Sequence, residues 1–251
     1  MAARRTSPRR AQHKVPDPPA FEHHHRDIRG GTARAAVFGV QDGLISNASL
    51  ILGVAAGDHY GQVAVRLAGL IGLIGGAVSM AVGEYISMTA QKELFERELE
   101  LERREIRRRP ENERRELAHI YRARGVDPGT ADELAAQMMR DPDVALETHA
   151  REELGIDPKA LGSPVGAAVS SFGSFAVGAL APLLPWFFVG GHGAAMATVV
   201  LTVIAALAVG AGLSRFTGRS VVRSALRQLL FVAVPAAFVY GIGALVGVAT
   251  G

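Results

Sequence analysis

The chain reads as an all-α membrane protein, with five transmembrane helices and a polar helical domain inserted between the second and the third. Three observations predict this. Five apolar segments of spanning length, at about 34–56, 63–89, 163–185, 193–213 and 222–249, carry few charges. The acidic residues gather elsewhere: 18 of the 24 Asp and Glu lie in 91–157. The first apolar segment, VFGVQDGLISNASLILGVAAG (37–57), nevertheless holds Asp42 about two turns inside it, where a carboxylate is expensive and marks function.

Composition excludes several classes. The chain has 251 residues, 49% of them hydrophobic, and no cysteine. It therefore has neither a disulfide framework nor a thiolate metal site. Its net charge of +3 hides a segregation: the tail before Ala35 has 8 basic and 3 acidic residues, and the 91–157 stretch has 18 acidic and 13 basic. No single basic surface results, so no nucleic-acid partner is expected. No prosthetic group is expected either.

Residues 1–33 are Arg-, Pro- and His-rich, lack the apolar run of a secretory signal, and read as a disordered tail in which His23, His24 and His25 are incidental. Residues 34–89 hold spans one and two, joined by GDHYGQ (57–62), and so form an antiparallel hairpin. Residues 90–160 form the polar domain. Breaks at Pro110, Gly125 to Gly129, Asp141-Pro142 and Gly155 to Pro158 divide it into three or four helices. Residues 161–251 hold spans three to five, with Pro182, Pro185 and Pro235 at kinks or helix ends. Arginines near the span ends place the N-terminus, the polar domain and the loop around Arg215, Arg219 and Arg223 on one side, the cytoplasm. Gly39 and Gly43, Gly53 and Gly57, Gly72 and Gly76, and Ser170 and Ser174 recur at helical spacing and predict close packing between spans.

Positions on the first hairpin can be matched by depth. With cytoplasmic ends near Arg34 and Met88, Asp42 and Met80 both lie about eight residues in, roughly 12 Å. Glu84 lies one turn nearer the cytoplasm, and Ser46 and Ser49 continue the Asp42 face. Two carboxylates and a thioether suit a borderline divalent cation. Each residue also has a plainer reading: packing for Met80, a structural bond to Asn47 or a serine for Asp42, an interfacial position for Glu84. The matched depths favour a metal or proton pathway.

The polar domain repeats the theme. No breaker interrupts 91–109, so the second span continues as one helix with Glu98, Glu102 and Glu105 on one face. After Pro110, Glu113 and Glu116 lie three apart, and a later helix carries Glu147, His149, Glu152 and Glu153. Any one of these glutamates also fits a solvated face laced with arginines. The paired E-x2-E spacings, followed by His149 and Glu153 at i+4, favour an oxygen-rich site with one imidazole, suited to iron, manganese or zinc.

In combination and order, DGLISNASLILGVAAG (42–57), GAVSMAVGEYISMTAQKE (76–93), the acidic helices ending in REELG (151–155) and SSFGSFAVGALAPLLP (170–185) resemble the vacuolar iron transporter family over about residues 34–250. The resemblance implies a homodimer of five-span subunits, a cytoplasmic metal-binding domain, and exchange of divalent metal against protons. It assigns Asp42 and Met80 to the membrane path and Glu102, Glu105, Glu113, Glu116 and Glu153 to the cytoplasmic site. The sequence departs from the plant-type pattern at His149, where those members have Met. Gly31 and Gly72 replace glutamates, and Glu84 replaces a common Gly.

The expected function is export of ferrous iron from the cytoplasm, with manganese, zinc and cobalt tolerated by the same ligands, in exchange for protons. Two alternatives stand beside it: a membrane-anchored di-metal ferroxidase, and a metal sensor or storage protein. The Ala-, Arg- and Gly-heavy composition without a targeting peptide suits a bacterial plasma membrane better than a vacuole.

Overall fold

The computed structural model describes residues 31–57 and 61–250, with side chains through 246. The tail containing His23, His24 and His25, and most of the turn between the first two spans, lie outside the described residues. All regular structure among the described residues is helical: α1 (Gly31–Ala55), α2 (Gln62–Arg108), α3 (Pro110–Ala123), α4 (Pro128–Met138), α5 (Pro142–Glu152), α6 (Pro164–Leu183), α7 (Pro185–Phe188), α8 (Gly191–Thr217) and α9 (Val221–Thr250). Five of these, α1, α2, α6, α8 and α9, are long and apolar enough to cross a membrane.

The longest is α2. Its 47 residues extend about 70 Å, more than twice the ~30 Å of a bilayer's hydrocarbon. No glycine or proline interrupts it between Gly83 and Pro110. Its charged second half, from Lys92 onward, therefore stands clear of the span and becomes a post on which the short helices assemble. Leu99 and Ile106 of α2 pack on Ala145, Leu146 and Ala150 of α5, and Leu117 and Ala118 of α3 pack on Ala135 of α4. The helices α4, α5 and α6 begin the same way: Asp127, Asp141 and Ser163 accept backbone N–H groups across the first turn, and each is followed by a proline. Two aspartates of the acidic stretch are thus spent on caps.

Small residues set the membrane packing. α1 lies against α6, α9, α2 and α8. A Cβ on Gly43 would strike the Phe175 carbonyl, and one on Gly178 the Val40 carbonyl, so the α1 and α6 backbones touch. Close approach replaces the hydrophobic drive that lipid does not provide. Pro182 lies inside α6, Pro185 opens α7 and Pro235 lies inside α9. At the α6–α7 break the Thr198 hydroxyl donates to the Pro182 carbonyl and accepts from Trp186 Nε1, both at 2.9 Å. Gln62 and Arg66 donate to the Trp186 carbonyl. Arg66, near the N-terminal end of α2, is consumed by that break.

Candidate functional site

Between α1 and α2 lies a cavity of about 290 Å³, closed on its third side by Phe175 of α6. Asp42, Ser46, Asn47 and Leu50 line it from α1, and Gly72, Gly76, Ser79 and Met80 from α2. Asp42 and Met80 thus share one cavity at one depth. Gly72 and Gly76 keep it open: a Cβ on Gly72 would meet Asn47 Oδ1 at 2.7 Å, and one on Gly76 the Phe175 ring.

Hydrogen bonding leaves the carboxylate uncommitted. The Ser46 hydroxyl donates to the Asp42 backbone carbonyl at 2.7 Å, as a serine one turn later in a helix does. Asn47 donates instead to the Ala179 carbonyl at 2.7 Å, and its buried Oδ1 has no donor. Ser46 and Asn47 therefore donate elsewhere, and the buried Ser49 hydroxyl is not bonded to Asp42 either. Asn47, Ser79 and Phe175 enter the site only through the fold. Phe175 carried a signal in the SSFGSF segment, but nothing in the spacing told which of three spans would close the gap.

Glu84 does not line this cavity. It pairs with Arg34 at 3.4 Å, one turn beyond Met80.

About 33 Å further along α2, counted as 22 residues from Met80, a second constellation forms. Glu102, Glu113 and His149 are 4%, 6% and 0% exposed, and each offers a ligand atom within 4.8 Å of the others. His149 Nδ1 lies 3.2 Å from Glu102 Oε1 and 3.5 Å from Glu153 Oε2. Both imidazole nitrogens and Glu102 Oε1 are buried without hydrogen bonds, an arrangement that buried polar atoms rarely tolerate. Glu105 and Glu116 are exposed at its edge and act on it through their charge. Glu98, a turn before Glu102, is not among the acids that perturb Glu102 or Glu113.

Burial, and then the neighbouring charges of Glu153, Glu113, Glu105 and Glu116, push the Glu102 carboxyl up to about 7. Burial followed by Glu116, Glu105 and Glu153 raises Glu113 as well, partly offset by Arg109. Apart from Arg109, whose charge reaches Glu113, most of the neighbouring basic side chains are engaged outside the cluster. Arg103 and Arg104 hold Glu100, Arg114 and Arg115 hold Glu111, Arg124 holds Glu152, and Arg151 with Lys159 holds Glu147. Solvated and clustered glutamates thus coexist on the same helices, divided by which face turns inward.

A family model described as the VIT family matches residues 33–244. A protein named vacuolar iron transporter from Acanthamoeba castellanii is 37% identical over 225 residues, covering 88% of this chain and 82% of that one. Vacuolar iron transporter 1 of Oryza sativa is 30% identical, covering 88% and 90%, and that of Eucalyptus grandis 31% identical, covering 84% and 85%. These names describe transport, not catalysis. With five apolar helices, the sequence motifs in their expected order and a match over most of its length, this chain is a multi-pass membrane protein and belongs to the VIT family.

Proposed function

We propose that this protein carries divalent metal out of the cytoplasm, ferrous iron foremost and manganese as an alternative cargo, in exchange for protons. The observation that carries the reading is Asp42, a carboxylate without a protein partner among the described residues, sharing a mid-span cavity with the Met80 thioether. Hard oxygen and soft sulfur together suit a borderline cation, and a single acid holds it weakly enough to let it leave.

In this reading 90–160 is the cytoplasmic metal-binding domain between the two membrane portions, 34–89 and 161–251. Glu102, Glu113, His149 and Glu153 capture metal there, with Glu105 and Glu116 at the edge drawing cations in. The ion then passes along the α1–α2 hairpin, by way of Glu84, to Asp42 and Met80. Protonation of Asp42 from the far side removes the charge that holds the ion and releases it. Ser46 and Ser79 are exposed beside Asp42, and polar groups facing lipid are costly. A second copy laid over this face covers them, which supports a homodimer. A bacterial plasma membrane is the compartment we assign.

The test is ferrous iron flux in proteoliposomes holding the full chain, with manganese, zinc and cobalt as competitors and with the pH gradient imposed or collapsed. Flux that follows the gradient and is competed by manganese is expected. Metal binding without flux under either condition would sink the reading in favour of a sensor or storage protein.

A further inference from the structure

A second cavity, of about 400 Å³, lies at the other end of the same hairpin. Gly31 and Arg34 line it from α1, Met88, Gln91 and Phe95 from α2, and Asp157 with five other residues between 155 and 162 from the segment that leads into α6. It opens where the membrane portion of α2 gives way to its charged extension. Between this cavity and the Asp42 cavity stands the Arg34–Glu84 pair.

The helix geometry makes the placement specific. Glu84 lies one turn from Met80, which lines the inner cavity, and one turn from Met88, which lines the outer one. Arg34 lines the outer cavity and reaches Glu84 across the hairpin. The two partners differ in exposure: the Glu84 side chain is 14% exposed and the Arg34 side chain 67%. A well-covered carboxylate is therefore held by a cation whose other surroundings are open. Among the described residues Glu84 is the ion-pair partner of Arg34. Beside the pair, Ala35, Met88 and Ala167 form an apolar cluster that carries no charge to replace either partner.

We propose that Arg34 is a tethered competitor for the transported cation: its guanidinium occupies Glu84 between the two cavities, and an ion entering the inner cavity must displace it. This rests on the transport reading. The pair is suited to the task because the guanidinium stays largely in solvent and reaches Glu84 only at 3.4 Å, so its hold is close to that of an exposed ion pair, worth about fivefold in an equilibrium. A divalent ion outcompetes the guanidinium at Glu84, whereas a monovalent cation gains nothing by the exchange. The device would favour divalent over monovalent cations at the mouth of the path, before any ligand in the inner cavity is reached.

The absence of cysteine from the natural chain allows a test that does not depend on transport. In full-length Ser79→Cys protein in proteoliposomes, the reporter thiol sits in the inner cavity, and its rate of modification by a small cationic thiol reagent is compared with that by a neutral reagent of similar size. Adding Arg34→Gln is expected to raise the cationic rate by up to about fivefold and the neutral rate by less. In a Glu84→Gln background the same Arg34 change is expected to do little, and Arg223→Gln, at the same side on α9, to do nothing in either. Equal acceleration of both reagents, no acceleration, or an Arg34 effect that persists without Glu84 would each overturn the inference. Flux measured in parallel separates the two claims. Arg34→Gln is expected to lower the KM for ferrous iron. If wild-type flux is absent but the labelling pattern holds, the transport reading fails alone; if flux is intact and the labelling pattern fails, only the role of Arg34 falls.

Discussion

The two constellations on α2 solve opposite problems. The inner cavity offers one unpaired carboxylate and one thioether, and its polar walls are neutral. The outer cluster crowds buried acids around a fully buried histidine, with Arg103, Arg104, Arg114 and Arg115 paired elsewhere. Like charges held together in a covered site repel one another and favour protons, and a cation relieves that repulsion, so on the proposed transport reading the outer cluster would hold metal and release it to acid. On the same reading a lone acid in the membrane would hold metal less firmly and favour passage, a contrast of retention against transit.

Substitutions break the comparison most directly. Asp42→Asn is expected to reduce ferrous iron flux to the level of empty vesicles while leaving equilibrium metal binding by the outer cluster unchanged; residual flux near wild type would remove Asp42 from the path. Glu102→Gln is expected to do the reverse in binding, weakening metal affinity of the cluster by at least about tenfold, with flux falling at low metal and recovering at saturation. Titration calorimetry on the detergent-solubilised protein measures the first quantity, and an unchanged affinity would mean that the metal sits elsewhere.

Acidity sharpens the comparison at a smaller scale. Because Glu102 titrates near 7 in the folded protein, metal must displace its proton below that pH, and affinity of the cluster is expected to fall by up to about tenfold per pH unit from pH 7 downward. The metal-free protein should respond with the opposite sign. The folded state holds more protons than the unfolded one between the ordinary carboxyl value of 4.5 and about 7, so the stability cost of the charged carboxylate is full above 7 and is relieved as pH falls toward 4.5. Thermal melts with chelator at pH 7.5 and 5.5, in wild type and Glu102→Gln, test this: the substitution should raise the melting temperature at the higher pH and have less effect at the lower. The smallest effect is expected from Glu98→Gln, which should leave cluster affinity within experimental error; a loss like that of Glu102→Gln would enlarge the site by a full turn.

Much of this was legible in the chain. Five spans follow from apolar length, and the continuous α2 from the lack of any glycine or proline over 84–109. The level match of Asp42 with Met80 followed from counting residues along a hairpin. His149 stood out because the i+4 spacing to Glu153 puts both on one face. The pairing of Glu84 with Arg34 was not legible. Both charges were visible, but whether a long arginine side chain bends toward the cavity or toward the opposite helix depends on where that helix lies.

The sequence by itself determined which segments enter the membrane, where helices stop and which side chains carry chemistry. These are local matters, governed by the period of 3.6 residues, by capping and by the cost of charge in hydrocarbon. Tertiary structure alone decided which glutamates are buried in the cluster and which are solvated ion pairs. Glu100 and Glu102, two residues apart, have the same chemistry and helix; one turns outward to Arg103 and Arg104, the other inward to His149. That difference arises only when α3 and α5 close over one face of α2. Burial and charge crowding belong to the assembled cluster, since both depend on atoms contributed by other helices.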